Sequence, residues 1–210
     1  MPAFLSSESL PQGLRVLLGG SFDPVHGAHA ALADAVQRSC REAELVWVPA
    51  AQSPFKSDAP QASDEDRCAM LEALLQSRPG ESLDCRELSR PAPSYCLDTV
   101  LSMQAEEPQR SLALALGADA FAGITRWRGA SELLDRVILL VAPRLGLPAP
   151  QAAVQGYPQA CVHRLEMPPV ELSSTSIRAD LVRGMDPGRA ALPLPVFQAI
   201  RQRGLYGWKD

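Results

Sequence analysis

The chain has no long apolar run, no paired-cysteine motif and no excess of basic residues, and each absence excludes a class of protein. The longest apolar run, residues 137–142, is far shorter than the ~20 residues that a membrane span needs. The polar start, residues 1–12, has no basic segment followed by an apolar stretch, which predicts that there is no secretory signal. The formal net charge of -4 argues against broad binding to nucleic acid or to anionic membranes.

The cysteines indicate a reducing compartment. There are five of them, widely spaced and without a Cys-x-x-Cys pair: Cys40, Cys68, Cys85, Cys96 and Cys161. An odd number with this spacing argues against a disulfide framework and against a zinc knuckle. Reduced thiols in the cytoplasm are the interpretation that fits, so we expect a cytoplasmic protein.

The residues that are present predict one globular α/β domain. With 46% apolar residues in a chain of 210, disorder is excluded, and a single core can bury roughly 70% of the unfolded surface. Apolar runs predict strands over residues 14–18, 45–48, 82–88, 112–116, 137–141 and 162–165. Helical patterns alternate with them, over residues 28–41, from Ser63 onward, and over 96–106, 118–124, 130–134, 174–183 and 195–203. This alternation predicts a doubly wound, Rossmann-like parallel sheet in one domain, 1–210, with C-terminal helices and a flexible extension over residues 1–13.

The strongest motif follows the first long strand and leads into the first helix. It reads Gly-Gly-Ser-Phe-Asp-Pro-Val-His-Gly-Ala-His, residues 19–29. Glycines let a phosphate approach the backbone, and the helix start supplies free N–H groups and a positive dipole end. His26 and His29 are three residues apart, so both imidazoles can face the same side. The helix dipole disfavours a charged imidazole and a bound phosphate favours it, so the charge state of the two histidines stays open. Two alternative interpretations also remain: half of a metal site, or two histidines with a purely structural role.

A second anion site is predicted where the chain enters the helix over residues 174–183. Ser173, Ser174 and Thr175 carry hydroxyls at the helix start, and Arg178 follows one turn later. Hydroxyls at this position cap helix N–H groups or bind an anion, and an arginine adds a charge-assisted contact. A plain helix cap is the alternative reading.

These motifs resemble one family. The first segment looks like the start of the nucleotidyltransferases with the His-x-Gly-His signature, and within them it resembles the bacterial nicotinate mononucleotide adenylyltransferases. Ser-Ser-Thr-Ser-Ile-Arg, residues 173–178, resembles the family's Ser-Ser-Thr-x-Ile-Arg motif, and Pro-Ser-Tyr-Cys-Leu-Asp-Thr, residues 93–99, resembles its Pro-Ser-Tyr-Thr-x-Asp-Thr segment. Gly117-Ala118-Asp119, Trp127-Arg128 and the loop lysine Lys56 also resemble family positions, and the resemblance spans residues 14–207.

The resemblance implies transfer of AMP from ATP to nicotinate mononucleotide, with release of pyrophosphate and formation of deamido-NAD. It implies these catalytic residues: His26, His29 and Arg178. The implied ATP-binding residues are Gly19, Gly20, Ser21, Phe22, His26, His29, Gly117, Asp119, Ser174, Thr175 and Arg178. The implied substrate-binding residues are Asp23, Lys56, Tyr95, Cys96, Trp127 and Arg128. Mg²⁺ is expected to arrive with ATP, with no resident metal site on the protein.

Three departures from the family pattern keep alternatives open. His26-Gly27-Ala28-His29 has its glycine one position early, Phe55 replaces a polar residue, and residues 144–146 read Arg-Leu-Gly where the family has Arg-Pro-Gly. One alternative is the same chemistry on nicotinamide mononucleotide or on another phosphorylated acceptor. Another is a nucleotide-binding regulatory protein without activity. The partners predicted are small nucleotides, with no nucleic acid and no membrane, and the chain is expected to be a monomer or a homodimer.

Overall fold

The computed structural model describes residues 3–6, 9–56, 58–142 and 154–209. Within them, seven strands form one sheet: β1 (Ala3–Phe4), β2 (Arg15–Gly20), β3 (Glu44–Pro49), β4 (Glu81–Leu83), β5 (Leu112–Leu116), β6 (Val137–Val141) and β7 (Cys161–Arg164). The helices are α1 (Gly27–Ser39), α2 (Asp64–Leu75), α3 (Cys96–Glu106), α4 (Ala118–Ala122), α5 (Ala130–Arg136), α6 (Ser174–Val182) and α7 (Leu194–Arg203).

The sheet has the topology of a doubly wound α/β fold. Its strand order is β1-β7-β6-β5-β2-β3-β4, and the pairs β1–β7, β7–β6, β6–β5 and β5–β2 are parallel. From β2 the chain builds outward through β3 and β4, and it then returns to build the other side from β5. Ligands of such sheets bind beyond the carboxyl ends of the strands where the order reverses. The segment that follows β2 begins where the strand order reverses. The predicted fold class, a doubly wound, Rossmann-like parallel sheet, is confirmed.

Burial explains why these segments form these elements. All five residues of β5 are buried, which is typical of a parallel strand covered on both faces. The sequence places Leu32, Ala35, Val36 and Ser39 on one face of α1; the first three are buried together with Ala33, and Ser39 is half-buried. Ser63 caps α2, since its side-chain oxygen accepts a hydrogen bond from the Asp66 N–H at 3.1 Å.

The described chain divides into two compact units. Unit one comprises the described residues of Met1–Gly19, Leu32–Val46 and Tyr95–Pro169. In it, α3 packs against α5, and β5, β6 and β7 form the apolar centre of the sheet.

Unit two comprises the described residues of Gly20–Ala31, Trp47–Ser94 and Val170–Asp210. Here α2 packs on α7, and an ion pair between Arg203 and Asp66 at 2.8 Å joins the same two helices. The prediction of one domain over 1–210 stays a prediction.

Three local features differ from the sequence prediction. Within residues 1–13, predicted as a flexible extension, Ala3–Phe4 pair with β7, and the Leu5 carbonyl lies 2.9 Å from Nδ1 of His163. Two residues are too few to show a strand period, so β1 could not be recognised from the sequence. The third predicted strand, residues 82–88, is only Glu81–Leu83, and turns follow it.

The buried face of α2 also differs. In the sequence, Cys68, Leu71, Leu74 and Leu75 recur at helical spacing, which predicts that they form this face. The buried residues are instead Arg67, Met70, Leu71 and Leu74. Of the loop that the sequence predicts over 144–158, only residues 154–158 are described. Residues 144–146, where Arg-Leu-Gly departs from the family pattern, lie outside the described residues. No helix in the described part of the chain is long and apolar enough to cross a membrane.

Candidate functional site

The two imidazoles lie together at the start of α1. The rings of His26 and His29 are stacked, with centroids 3.8 Å apart and an interplanar angle of 25°. The His26 backbone N–H donates to Nδ1 of His29 at 3.2 Å. Since Nδ1 accepts a hydrogen bond, the neutral ring of His29 carries its proton on Nε2. Because the two histidines are three residues apart, the His29 ring lies on the His26 ring and has one defined donor, its Nε2–H.

Both imidazoles are neutral in this structure near pH 7. Burial, with a smaller contribution from the Lys56 ammonium, lowers the pKa of His26 to about 4. Burial, then the neighbouring His26 and Lys56, holds the pKa of His29 well below its usual range. Lys56 itself donates from Nζ to Oγ of Ser21 at 3.1 Å, so a permanent positive charge lies close to the neutral ring pair.

Phe22 belongs to the core of unit two. Its backbone has a φ of +48°, a left-handed conformation that is uncommon for a bulky residue. Its buried ring meets the His29 ring edge-on at 5.0 Å and lies 5.5 Å from the Trp47 ring. A Cβ at Gly20 would lie 3.1 Å from the same ring, so a side chain there would crowd it. The Phe22 side chain thus supports His29, and any ATP contact by Phe22 would have to come from its backbone.

Asp23 is buried and makes several structural contacts. Its carboxylate accepts hydrogen bonds from the N–H groups of Gln61 (2.8 Å) and Ala62 (3.0 Å) and from the Tyr206 hydroxyl (2.9 Å). Burial and the nearby carboxylate raise the pKa of Tyr206, so its hydroxyl stays protonated and donates. These contacts assign Asp23 an organising part in the structure, and its predicted substrate contact stays a prediction.

The start of α6 is tied to the segment that carries the imidazoles. Ser173 caps the helix, Ser174 Oγ donates to the Pro24 carbonyl at 3.0 Å, and the side chain of Thr175 is exposed. Arg178 donates to the Asp23 carbonyl at 2.6 Å and lies 3.5 Å from its carboxylate. Unit two therefore gathers both predicted phosphate motifs.

Three side-chain nitrogens of unit two are buried without a hydrogen-bond partner among the described residues. One is Nε of Arg67, and the other two are Nδ1 of His26 and Nε of Arg178. Buried polar atoms in proteins are nearly always paired, so unpaired ones need a reason. The His26 and Arg178 atoms belong to side chains that the sequence assigns to phosphate binding, and a polar ligand would satisfy them.

Arg67 is a residue of this region that sequence reasoning missed. Its side chain is fully buried, and its guanidinium donates to the carbonyls of Ser21 and Ala50, each at 2.7 Å, and to Asp64. It thereby joins the chain just after β2 to the chain just after β3. From the sequence, an isolated arginine in a helix is predicted to be exposed. The one indication of a partner is Asp64, three residues earlier, at the spacing of a helical ion pair.

The remaining predicted site residues lie in unit one. Gly117 follows β5 directly and precedes α4, which carries an exposed Asp119 in its first turn, and Gly19 lies near the carboxyl end of β2. Because β2 and β5 pair in parallel, their carboxyl ends meet at the same edge of the sheet. The half-buried Trp127 ends the short helical turn after α4.

A second group in unit one surrounds the start of α3. The helix begins at Cys96 after Tyr95, which provides no side-chain cap, so first-turn N–H groups lack that partner. The Arg128 guanidinium lies 3.9 Å above the Tyr95 ring and pairs with Asp98. The structure brings the Arg128 guanidinium onto the Tyr95 ring next to Cys96, and the substrate role of these three residues stays a prediction.

The displaced glycine of the signature has a steric reason. The Gly27 N–H donates to the Ala191 carbonyl at 2.8 Å, and a Cβ at Gly27 would lie 2.0 Å from the Ala190 carbonyl oxygen. No side chain fits there without movement of the backbone. The glycine at 27 is thus required by packing within unit two, and Ala28 occupies the position where the family carries glycine.

Among the described residues, no group of three or more His, Cys, Asp or Glu side chains is arranged to hold a metal ion.

We predict that Gly27→Ala destabilises the protein by about 1–3 kcal/mol, because the new methyl group overlaps a backbone carbonyl. Urea unfolding measures this free energy. Gly117→Ala is the matched control, since a Cβ there meets nothing within 4 Å, and it should cost less than about 1 kcal/mol. Equal losses in the two variants would contradict the packing argument.

We also predict that burial of neutral His26 makes stability depend on pH. With a pKa of about 4 when folded and ~6.5 when unfolded, the unfolded chain binds the proton first as pH falls. The contribution is complete above pH 6.5 and decreases by up to about 3 kcal/mol as pH falls toward 4. Urea unfolding between pH 7.5 and 4.5 should therefore show a steeper decrease for the natural chain than for His26→Gln. Parallel curves would show that His26 makes no such contribution.

Comparison with known proteins agrees with this geometry. The model of the cytidylyltransferase-like family matches residues 17–180. A probable nicotinate-nucleotide adenylyltransferase of Gloeobacter violaceus is 36% identical over 194 residues, covering 90% of this chain and 94% of the relative. A second one, of Aeromonas hydrophila, is 37% identical over 206 residues, covering 90% and 95%.

Structure comparison identifies the same fold. Plasmodium falciparum nicotinic acid mononucleotide adenylyltransferase, solved in complex with NaAD, superposes with a TM-score of 0.75 at 17% identity, covering 94% of this chain and 99% of that one. The sequence relatives, at over 30% identity along most of their length, decide the family. The chain belongs to the cytidylyltransferase-like family and, within it, to the nicotinate-nucleotide adenylyltransferases.

Proposed function

We propose that this protein transfers AMP from ATP to nicotinate mononucleotide, forming deamido-NAD and pyrophosphate, a step of NAD synthesis. The observation that carries the proposal is the cluster in unit two. A stacked pair of neutral imidazoles lies beside Lys56, and the same unit holds Arg178 at the start of α6. Such a set of fixed donors suits a phosphoryl group whose charge is redistributed during the reaction.

The 5′-phosphate oxygen of the mononucleotide would attack the α-phosphorus of ATP in line, and pyrophosphate would leave. His29 would donate its Nε2 proton in a hydrogen bond to a phosphate oxygen, because its Nδ1 is already bound to the His26 backbone. His26 has an unpaired Nδ1 for a polar partner. Neither imidazole needs to gain or lose a proton, so catalysis would be electrostatic and positional, with no covalent enzyme intermediate.

The leaving pyrophosphate would be bound by the start of α6 and by Arg178. Helix N–H groups and a positive dipole end favour an anion at that position. The Arg178 guanidinium is oriented by the Asp23 carbonyl, and its Nε remains unpaired within the described structure. Lys56 would add a second positive charge near the same phosphates, and both cations lie in unit two.

Unit one supports a mononucleotide with a ring carboxylate. The α3 N-terminus at Cys96 has no side-chain cap, and the Arg128 guanidinium, which pairs with Asp98, lies above the Tyr95 ring. A carboxylate receives charge-assisted hydrogen bonds here, whereas a carboxamide receives neutral ones that are weaker by roughly 1 kcal/mol or more.

Members of this family use ATP together with a divalent metal ion. We propose Mg²⁺, bound through the triphosphate and water, since the described residues form no ligand cluster of three. When bound, the ion would offset phosphate charge. We also propose that the protein is cytoplasmic, that it is a single domain, and that it is a monomer or a homodimer.

Incubation of purified protein with ATP, Mg²⁺ and either mononucleotide tests this function, with pyrophosphate release as the measurement. We expect kcat/KM to be at least about fivefold higher for nicotinate than for nicotinamide mononucleotide, the factor that ~1 kcal/mol gives. A preference for the amide would refute the acceptor. ATP binding without pyrophosphate release would support the regulatory alternative that Ala28 and Phe55 motivate.

The Nε2 donor of His29 can be tested by two substitutions of different reach. His29→Asn places an amide near the former Nδ1 and removes the distal donor, so we expect kcat to fall at least ~100-fold. His29→Gln reaches the former Nε2 position and should retain clearly more activity.

His163→Asn, which keeps an amide near the former Nδ1, is the control for loss of an imidazole elsewhere. His163 contacts the Leu5 carbonyl in unit one, so this variant should keep normal kcat. A normal kcat for His29→Asn would remove His29 from the mechanism.

A further inference from the structure

Two cysteine sulfurs face each other in unit two. Sγ of Cys68, in α2, lies 3.1 Å from Sγ of Cys85, two residues after β4. A disulfide bond needs a separation of ~2.05 Å. The two sulfurs are therefore about 1 Å from bonding distance, with their thiols in a direct hydrogen-bond contact.

This pair stands out among the five cysteines, all of which are free thiols. The Cys161 thiol, by contrast, donates to the Gln159 carbonyl. Cys68 and Cys85 are both half-buried, so a small oxidant can reach them.

We propose that Cys68 and Cys85 are a redox modification site, oxidised to an intramolecular disulfide by hydrogen peroxide and reduced again by a small thiol such as glutathione. Nothing in the transfer reaction uses these residues, so the proposal is independent of the proposed function. Cytoplasmic thiols are normally reduced, and the bond would be transient there.

The chemistry proceeds in two balanced steps. The Cys85 thiol first gives up its proton, and its thiolate attacks one peroxide oxygen. The O–O bond breaks, the leaving hydroxide takes up that proton, and a sulfenic acid and one water form. The Cys68 sulfur then attacks the Cys85 sulfur, its proton leaves with the departing hydroxide as a second water, and the S–S bond forms. Two thiols and one peroxide thus yield one disulfide and two waters.

The surroundings divide the roles between the two sulfurs. Burial, followed by the hydrogen bond to Cys85, raises the pKa of Cys68 to about 12, so this thiol keeps its proton. A raised pKa makes Cys68 the poorer nucleophile, so we assign the first attack on peroxide to Cys85 and the resolving step to Cys68.

The bond would fasten α2 to the segment after β4. Arg67, next to Cys68, is the buried residue that binds the Ser21 and Ala50 carbonyls, and the Asp84 N–H beside Cys85 donates to the Trp47 carbonyl at 2.9 Å. A disulfide between residues 17 apart restricts the unfolded chain. Oxidation should therefore make unit two harder to unfold.

The test is oxidation of the purified, reduced full chain with a small excess of hydrogen peroxide, followed by alkylation of remaining thiols and peptide mapping. We expect three alkylated cysteines, a Cys68–Cys85 cross-linked peptide, reversal by dithiothreitol, and a Tm higher by roughly 5–10 °C. Cys40→Ser should keep the cross-link, as the matched control.

Cys68→Ser should abolish the cross-link and leave a sulfenic acid on Cys85 that dimedone traps. Thermal unfolding followed by circular dichroism confirms that the variant is folded. The proposal is overturned by five alkylated cysteines after peroxide, by a link between other cysteines or between two chains, or by sulfinic acid at Cys85 in the natural chain without any cross-link.

Discussion

The buried carboxylate of Asp23 is the interaction on which the rest of unit two depends. A charge taken out of water is tolerated only when hydrogen bonds replace its hydration. Here the N–H groups of Gln61 and Ala62 and the Tyr206 hydroxyl do so, and the backbone of the same residue holds Arg178. Asp23, which follows β2, thus joins three parts of the chain: the segment before α2, the start of α6 and the C-terminal segment.

Neutral donors beside fixed cations follow from this packing. Burial lowers the pKa of His26 and of His29, so both are neutral, and the Lys56 ammonium and the Arg178 guanidinium belong to the same unit. A phosphate entering such a site meets N–H groups that are already oriented, so little reorganisation is needed during reaction. The overall charge of -4 says nothing about this, because it is a sum over the whole chain, whereas the Lys56 ammonium and the Arg178 guanidinium are two individual groups beside Ser21 and Asp23.

Sequence patterns predicted the secondary structure well where burial has a clear period. The segments of α3, β5 and β6 match the prediction residue for residue, because each is a continuous apolar or helical pattern with a clear boundary. The two-residue β1 has no pattern to detect. The buried face of α2 was misjudged because Arg67 reads as a surface residue until its carbonyl partners are known.

The sequence by itself determined the order of strands and helices, the glycine pair after β2, the spacing that stacks His26 on His29, and the Ser63 cap. Each of these depends on neighbours within about four residues along the chain. Only the tertiary structure decided the neutral state of the imidazoles, the partners of Asp23, the Cys68–Cys85 contact and the steric need for glycine at 27. Each of those features depends on burial or on a residue distant in sequence, and a local sequence pattern predicts neither of them.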